Sequence, residues 1–383
     1  MNNQDIHIGI VGAGRIGTAI YNLLVTTDRG YRITIADIVS KPDWSINRDH
    51  YEQLQIKKPL YSGENVQFNE FVEGKTLIIN ALPFTENIHL YQACLESNIP
   101  YFDLSEDDAL DEWIAKREYV SETRSGLPFT MPHCGLAPGL STVVANHISK
   151  DFHDLQSIKI RVGALSKSAT NKLRYHTSWS GDGLVNEYMG KCQVIRDGMY
   201  CFNSALSGYE KITINGQEFE AFNTSGGIGT FAKTLCDRGT TIGLDVDYKT
   251  LRRVGHHQYI DFLFKDLKLP SDILNNIFKN YVPNTTEDEV IIYVTASGIR
   301  PFDYTFFERT YYKVFPKQTY RGRTFTAIEF TTAAGLISMV ELYLDGKLPK
   351  DGYITQESVN WEDVLNTTYG RYYREEDDEH YLY

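Results

Sequence analysis

Three glycines and a handful of titratable residues at the ends of apolar runs are where this chain could do chemistry. Gly12, Gly14 and Gly17 stand at G-x-G-x-x-G spacing directly after the apolar run Ile8-Gly9-Ile10-Val11. A phosphate-bearing ligand demands these parts: Gly12 permits a tight turn, Gly14 lets the backbone approach the phosphates, and Gly17 lets the next helix pack close to its strand. An amphipathic helical pattern begins inside the motif, whose Arg15 and Ile16 are further cofactor-binding candidates, and the helix's first N–H groups and positive dipole end face the anion. A second run, Arg32-Ile33-Thr34-Ile35-Ala36, ends in Asp37, at the distance expected of an acid that accepts ribose hydroxyls. A ribose 2′-phosphate would be repelled there, so the pattern predicts NAD rather than NADP as the bound dinucleotide. Two further groups suited to proton transfer follow apolar runs: Asp103 after Tyr101-Phe102, and His133 after Phe129-Thr130-Met131-Pro132. Asp103 could instead cap a helix and His133 could be a structural residue.

The elements that must position these residues alternate between strand and helix. Thr76 to Ala81 is a largely apolar strand, 86–98 a helix, Pro100 to Leu104 a strand, 106–121 a helix and Pro128 to Met131 a strand. Asn65 to Phe68 reads as a short third strand, and the polar stretch before it, through Tyr61, as a loop with a short helix. Such alternation predicts an α/β fold, a doubly wound parallel sheet of the Rossmann type. Ligands of these sheets lie outside the carboxyl ends of the strands. The carboxyl ends here carry the glycine turn, Asp37, the segment Ala81-Leu82-Pro83, Asp103 and His133-Cys134. The first two would hold the adenosine half, and the others would border the nicotinamide. Cys134 reads as a small buried residue, since hydride transfer requires no nucleophile.

Past the turn Gly135 to Ser141 and a helix through Lys150, the pattern changes. Ile158 to Val162 alternates, and Asn215-Gly216 and Asp197-Gly198 each sit between strand-like runs as hairpin turns. Further strands are expected at 289–296 and 305–314, with a helix from His256 to Leu267. This is an α+β substrate domain with a largely antiparallel sheet. The expected division is residues 1–145 for the dinucleotide-binding domain and 146–324 for the substrate and dimerisation domain. Phe330 to Val340 is an apolar helix, and the aromatic, charged stretch 369–383 reads as a solvated or fraying end.

With 383 residues, two domains are the natural prior. A net charge of −12 argues against nucleic acid or an anionic membrane as partner. The chain opens on polar residues, no membrane-length apolar run is evident, and five scattered cysteines show no metal spacing. The expectation is a cytoplasmic protein with a small-molecule substrate, no metal, and a homodimeric or higher homo-oligomeric state.

Four blocks beside the glycine motif resemble the saccharopine dehydrogenase-like family, and within it the lysine 6-dehydrogenase branch. They are Ala93 to Ser105, with its Tyr101-Phe102-Asp103-Leu104-Ser105 end; Cys134 to Ser141, similar to the family's GxxPG turn; Ser178 to Tyr188, similar to its WSxxG…EY block; and Lys249 to His256, close to KTLRYPGH. The likeness spans nearly the whole chain. Members that make or cleave saccharopine carry an acid at the GLDPG turn, where this chain has Ala137. That departure argues against saccharopine chemistry. Arg253 and Val254 depart from the tyrosine and proline of the last block. The resemblance also implies that 325–383 folds back onto the dinucleotide-binding domain.

Trp179 and Ser180 are then candidates for the substrate wall, with the indole as an apolar floor for a methylene chain. Glu187, one helical turn after Gly183, could pair with a substrate ammonium, and its plain alternative is a surface carboxylate. Arg252, Arg196 and Arg174 are candidates for gripping a carboxylate in bidentate fashion, and Arg252 has the family block behind it. His256 and His257 would not both face one ligand from a helix, and His256 is preferred. The reading is an NAD-dependent amino-acid dehydrogenase. Its best substrate is L-lysine, oxidised at the side-chain amine to a semialdehyde that cyclises to piperideine carboxylate, with NADH and ammonia. The alternatives are a reductive condensing dehydrogenase of the carboxynorspermidine or saccharopine type, with an amino-acid or polyamine substrate, and a non-catalytic NAD-binding protein.

Overall fold

The computed structural model describes residues 6–40, 43, 45–54, 66–104, 110–114, 127–239 and 242–375. The chain divides into two compact units, Met1–Leu136 with Thr332–Tyr372, and Ala137–Thr331 with Tyr373–Tyr383.

In the first unit, β1 (His7–Val11), β2 (Arg32–Asp37), β3 (Tyr51–Gln53), β4 (Leu77–Asn80), β5 (Tyr101–Asp103) and β6 (Thr130–Met131) form one sheet. The order is β3-β2-β1-β4-β5-β6 and every neighbouring pair is parallel. Ile8, Ile10, Ile35, Ile78 and Ile79 are fully buried, as strands covered on both faces require. The covering helices include α1 (Arg15–Leu24), α2 (Val66–Val72), α3 (Asn87–Glu96) and α4 (110–114). The doubly wound parallel sheet expected from the sequence is present, with all carboxyl ends along one edge.

Two details differ from the sequence reading. The third strand is Tyr51–Gln53, not the stretch from Asn65 to Phe68, whose described part starts helix α2. Phe68, Phe71 and Val72 are all buried, and their i, i+3, i+4 spacing is a helical face that four residues of apparent alternation concealed. β3 is a three-residue edge strand with two exposed side chains, too short and polar to show a period. The helix expected over 106–121 is described only at 110–114; its remainder, like most of the stretch before α2, lies outside the described residues.

Residues 332–372 complete this unit. In α10 (Ala327–Leu344), Tyr343 packs its ring 4.4 Å from that of Phe129. Arg29 grips Asp345 through two contacts of 2.5 and 2.9 Å. α10 is long and apolar enough to cross a membrane, but most of it is buried within the protein. Apolar residues on all its sides are what a core helix needs. The stretch from Tyr369 does not begin as a solvated end. Tyr369 is fully buried and donates its hydroxyl to Leu23 O at 2.7 Å. In the second unit Tyr373 is buried against Phe315, with ring centroids 5.4 Å apart. Large aromatic rings outweigh the flanking charge. Residues from 376 onward lie outside the described residues.

The second unit is built on an eight-stranded sheet. Its main path is β10 (Glu210–Ile214), β11 (Gln217–Phe222), β12 (Asp245–Arg253), β7 (Asp154–Ser166), β13 (Asp288–Ile299) and β14 (Phe306–Pro316). β8 (Lys191–Arg196) pairs with β12 and β9 (Met199–Ser204). The β12–β7 pair is parallel and the other pairs are antiparallel. Both expected hairpins form, with φ of 48° and 77° at Asn215-Gly216 and 49° and 76° at Asp197-Gly198. Two successive positive φ values are the signature of a type I′ turn. The helices of this unit include α5 (Leu140–Ser149), α6 (Gly181–Glu187), α7 (Phe231–Asp237), α8 (His256–Asp261) and α9 (Ser271–Asn280).

Candidate active site and nucleotide turn

The three glycines have three distinct surroundings. Gly12 has φ of +104°, and a Cβ there would meet Ala81 O at 2.6 Å. At Gly17 it would lie 1.9 Å from Gly12 O, so only glycine lets α1 approach β1. At Gly14 nothing stands within 4 Å. That open, exposed position at the start of α1 fits an approaching pyrophosphate, so the residues present suit a pyridine nucleotide. Asp37 ties the turn to β2: its Oδ2 accepts the Ala13 N–H at 2.7 Å and its Oδ1 the Ile38 N–H at 2.6 Å. Arg15 is exposed and Ile16 half-buried on the first turn of α1.

Asn80 was not singled out by sequence reasoning, yet it shapes the next segment. Its side-chain amide donates to Asn87 Oδ1 and to the Tyr101 hydroxyl, each at 2.8 Å, and its Oδ1 accepts the Leu82 N–H at 3.0 Å. Ala81, Leu82 and Pro83 are thereby held at the carboxyl end of β4. The detectable signal was an amide ending an otherwise apolar strand.

Asp103 and His133 are brought together. The His133 backbone N–H donates to Asp103 Oδ1 at 2.9 Å, and both residues are buried. His133 has φ of +63°, an uncommon conformation for a non-glycine residue that concentrates at functional sites. Its Nε2 faces both oxygens of Asp111, at 3.1 and 3.0 Å. Asp111 was absent from the sequence candidates. Cys134 is buried and burial pushes its thiol well above the ordinary range, so it stays protonated.

In the second unit, Trp179, Glu187, Arg252 and His256 meet in one cluster. Arg252 is buried; its Nε donates to the Tyr188 hydroxyl at 2.9 Å and its Nη1 to Thr250 Oγ1 at 2.7 Å. The Tyr188 oxygen lies 2.9 Å from His256 Nε2, and His256 Nδ1 lies 2.8 Å from Leu173 O. A carbonyl only accepts, so Nδ1 carries the proton and Tyr188 donates to Nε2. Burial, with the Arg252 charge beside it, lowers the His256 pKa to about 3, so the ring stays neutral. With no exposed surface and both nitrogens engaged, His256 is placed to hold Tyr188.

Glu187 Oε2 lies 3.5 Å from Arg252 Nη2, with 24% of its side chain exposed. Burial pushes its carboxyl up to about 7 against the opposing pull of Arg252. Near neutral pH it is therefore poised between its two forms. Trp179 donates its indole N–H to the Tyr175 hydroxyl at 3.1 Å, and the Arg252 guanidinium sits 5.2 Å over the Tyr175 ring. Ser180 is exposed at the edge of the cluster, capping α6 by accepting the Gly183 N–H at 3.2 Å.

The other two arginines are elsewhere. Arg174 is exposed. Arg196 pairs with Asp247 Oδ2 at 2.6 Å, and Asp247 also takes Arg161 Nη1 at 2.6 Å. Side chains alternate along a strand, so Asp247 and Arg252 of β12 point to opposite faces. Arg196 and Arg252 cannot grip the same carboxylate.

A parallel sheet with this strand order and a glycine turn open to phosphate define a dinucleotide-binding unit of the Rossmann type. Residues 8–128 match the family model described as the saccharopine dehydrogenase NADP binding domain, and residues 135–371 match the saccharopine dehydrogenase C-terminal domain. The chain belongs to the saccharopine dehydrogenase family of amino-acid dehydrogenases, oxidoreductases acting on CH–NH2 donors. Among solved structures it is similar to apo saccharopine dehydrogenase (L-Glu forming) from Saccharomyces cerevisiae. The identity is 14% and the TM-score 0.70, over 94% of this chain and 97% of that one. It is also similar to a mutant meso-DAPDH with DAP from Clostridium tetani E88, at 12% identity and TM-score 0.47, over 99% and 100% of the two chains. At 14% identity the first of these likenesses concerns the fold.

Proposed function

We propose that this chain oxidises an amino acid at a carbon bearing a primary amine, with L-lysine at its side-chain amine as substrate and NAD as acceptor. The observation that supports the reaction is the buried Asp103–His133 pair on the sheet edge that also carries the nucleotide turn. Ala137, where saccharopine-forming relatives carry an acid, favours simple deamination over condensation. In the second unit Glu187, the more open member of its cluster, suits an ammonium, and Trp179 offers an apolar wall. Asp37 supports NAD, although the matched family model is described as NADP binding.

When bound, the nicotinamide accepts a hydride. The chain's own residues do the rest. His133 takes a proton from the substrate ammonium, whose pKa in water is ~10.4, because only the uncharged amine has a lone pair that can drive hydride out. Asp103 holds the His133 backbone in place. As the C–H electron pair departs with the hydride, the nitrogen lone pair forms a C=N bond. Water then converts the imine to aldehyde and ammonia, and the aldehyde cyclises on the α-amine.

A screen following absorbance of reduced nicotinamide tests this, with amino acids plus NAD or NADP in one arm and amine–aldehyde pairs plus NADH or NADPH in the other. Lysine and NAD alone should yield NADH and ammonia in equal amounts. Turnover only with amine–aldehyde pairs would replace deamination by reductive condensation. Fluorescence titration should show NAD binding more tightly than NADP, with Asp37→Ser narrowing the gap; tighter NADP binding would overturn the cofactor choice. Homo-oligomerisation in a cytoplasmic setting completes the proposal, and sedimentation velocity reports the assembly directly.

A further inference from the structure

The stretch after α10 supplies a side chain that reaches the His133 site. Its backbone runs beside β6: Thr130 pairs with Tyr353 in parallel register, Thr130 N–H donates to Gly352 O and Ile354 N–H to Thr130 O, each at 2.9 Å. Gln356 donates its side-chain amide to Pro132 O, one residue before His133. The Tyr353 hydroxyl donates to Asp111 Oδ1 at 2.9 Å, the same carboxylate that faces His133 Nε2. An ionised carboxylate only accepts, so Nε2 must carry the hydrogen, and the lone pair of the neutral ring is on Nδ1.

We propose that Asp111 and Tyr353 are positioning residues that lock His133 in its Nε2–H tautomer, making Nδ1 the nitrogen that accepts the substrate's proton. The inference rests on the reading of His133 as the base. The proton passes from the substrate ammonium to Nδ1, and the imidazolium so formed keeps its Nε2–H on Asp111, whose negative charge favours it. Tyr353 withdraws charge from Asp111 and fixes its rotamer. Among the described residues, the titratable groups around this relay include Asp103 and Tyr101 from β5, Asp111 from α4, Cys134 after β6, and Tyr353 and Glu357 from the added segment. Burial, then Asp111 and Glu357, hold the Tyr353 phenol well above its usual range, so it remains a donor throughout the working pH.

The test uses full-length protein labelled with nitrogen-15 at histidine, the His133 signals being identified by their loss in His133→Asn. The expected wild-type result is a protonated Nε2 and an unprotonated Nδ1. Asp111→Asn should mix the tautomers and lower the imidazole pKa, whereas Tyr353→Phe, which leaves Asp111 more strongly negative, should raise it. In lysine oxidation Asp111→Asn should lower kcat about 100-fold, with the acid limb of the pH profile moving down, and Tyr353→Phe should move that limb up. A protonated Nδ1 in the wild type, or an unmoved tautomer and pKa in both variants, overturns the proposal. Full activity in His133→Asn would instead remove the base reading, a result distinct from an unmoved tautomer.

Discussion

The two polar clusters of this molecule are built on different principles. In the first unit Asp103 and His133 stand at the carboxyl ends of neighbouring parallel strands, so sheet topology alone sets them side by side. In the second unit Arg252, Tyr188 and His256 come from β12, the end of α6 and the start of α8, and are knit into a chain of hydrogen bonds ending on Leu173 O. The first cluster sits where an α/β sheet binds ligands. The second is a buried frame whose more open members, Glu187 and Trp179, are the ones able to meet a substrate. A titratable residue thus informs about chemistry in proportion to how far the backbone already dictates its neighbours.

The largest effect separates the glycines. Gly17→Ala, whose Cβ would overlap Gly12 O, should unfold the turn and abolish nucleotide binding, seen as lost circular dichroism signal and lost NAD titration. Gly14→Val enters space that nothing occupies, so its Tm should match the wild type while NAD affinity falls at least about tenfold, the equivalent of ~1.4 kcal/mol. Weak binding with a lowered Tm in both would mean Gly14 also serves packing.

Next comes the contrast between the clusters themselves. His133→Asn should lower kcat by about 100-fold or more with little change in KM. Arg252→Met strips charged hydrogen bonds from Tyr188 and Thr250, so urea unfolding should show at least about 2 kcal/mol of lost stability. If Arg252→Met instead left stability intact and raised only KM, the second cluster would be a binding surface and not a frame.

A pH series sharpens the same contrast. The His256 pKa is lowered to about 3 from 6.5, so its contribution to stability is present above pH 6.5 and lost as pH falls toward 3. Glu187 is raised to about 7 from 4.5; the folded state binds the extra proton between those values, so its contribution shrinks as pH rises through that window. Between pH 4.5 and 6.5 the two oppose each other. Glu187→Gln should therefore make Tm rise more with pH across this window, and His256→Asn should make it rise less. Identical slopes in all three proteins would show that neither group titrates as its surroundings imply. The smallest effect is expected at Ser180, where replacement by Ala removes an exposed cap and should cost about 1 kcal/mol without altering kcat.

The glycine turn, the parallel sheet and both I′ hairpins were legible because their causes are local: a phosphate turn needs glycine at fixed spacing, a buried strand is apolar throughout, and Asn-Gly or Asp-Gly tolerates positive φ. α2 was misread as a strand because four residues cannot distinguish a period of 2 from one of 3.6, and only Phe71 and Val72 reveal the helical face. Asp111 and Tyr353 had no local signal at all. They lie 22 and 220 residues from His133, and nothing in either neighbourhood marks a polar partner. The aromatic stretch from Tyr369 was masked by its charges until Tyr369 and Tyr373 were seen to be buried.

By itself, then, the sequence determined the nucleotide turn, the alternation that makes a parallel sheet, and the placing of Asp103 and His133 at strand ends, because each follows from contacts within one or two elements. The tertiary structure decided which candidates touch. It set Arg252 and Arg196 on opposite faces of one sheet, closed both nitrogens of His256, and carried Tyr353 across the chain to the carboxylate that faces His133. Such long-range contacts depend on how whole elements pack, and no spacing along the chain encodes them.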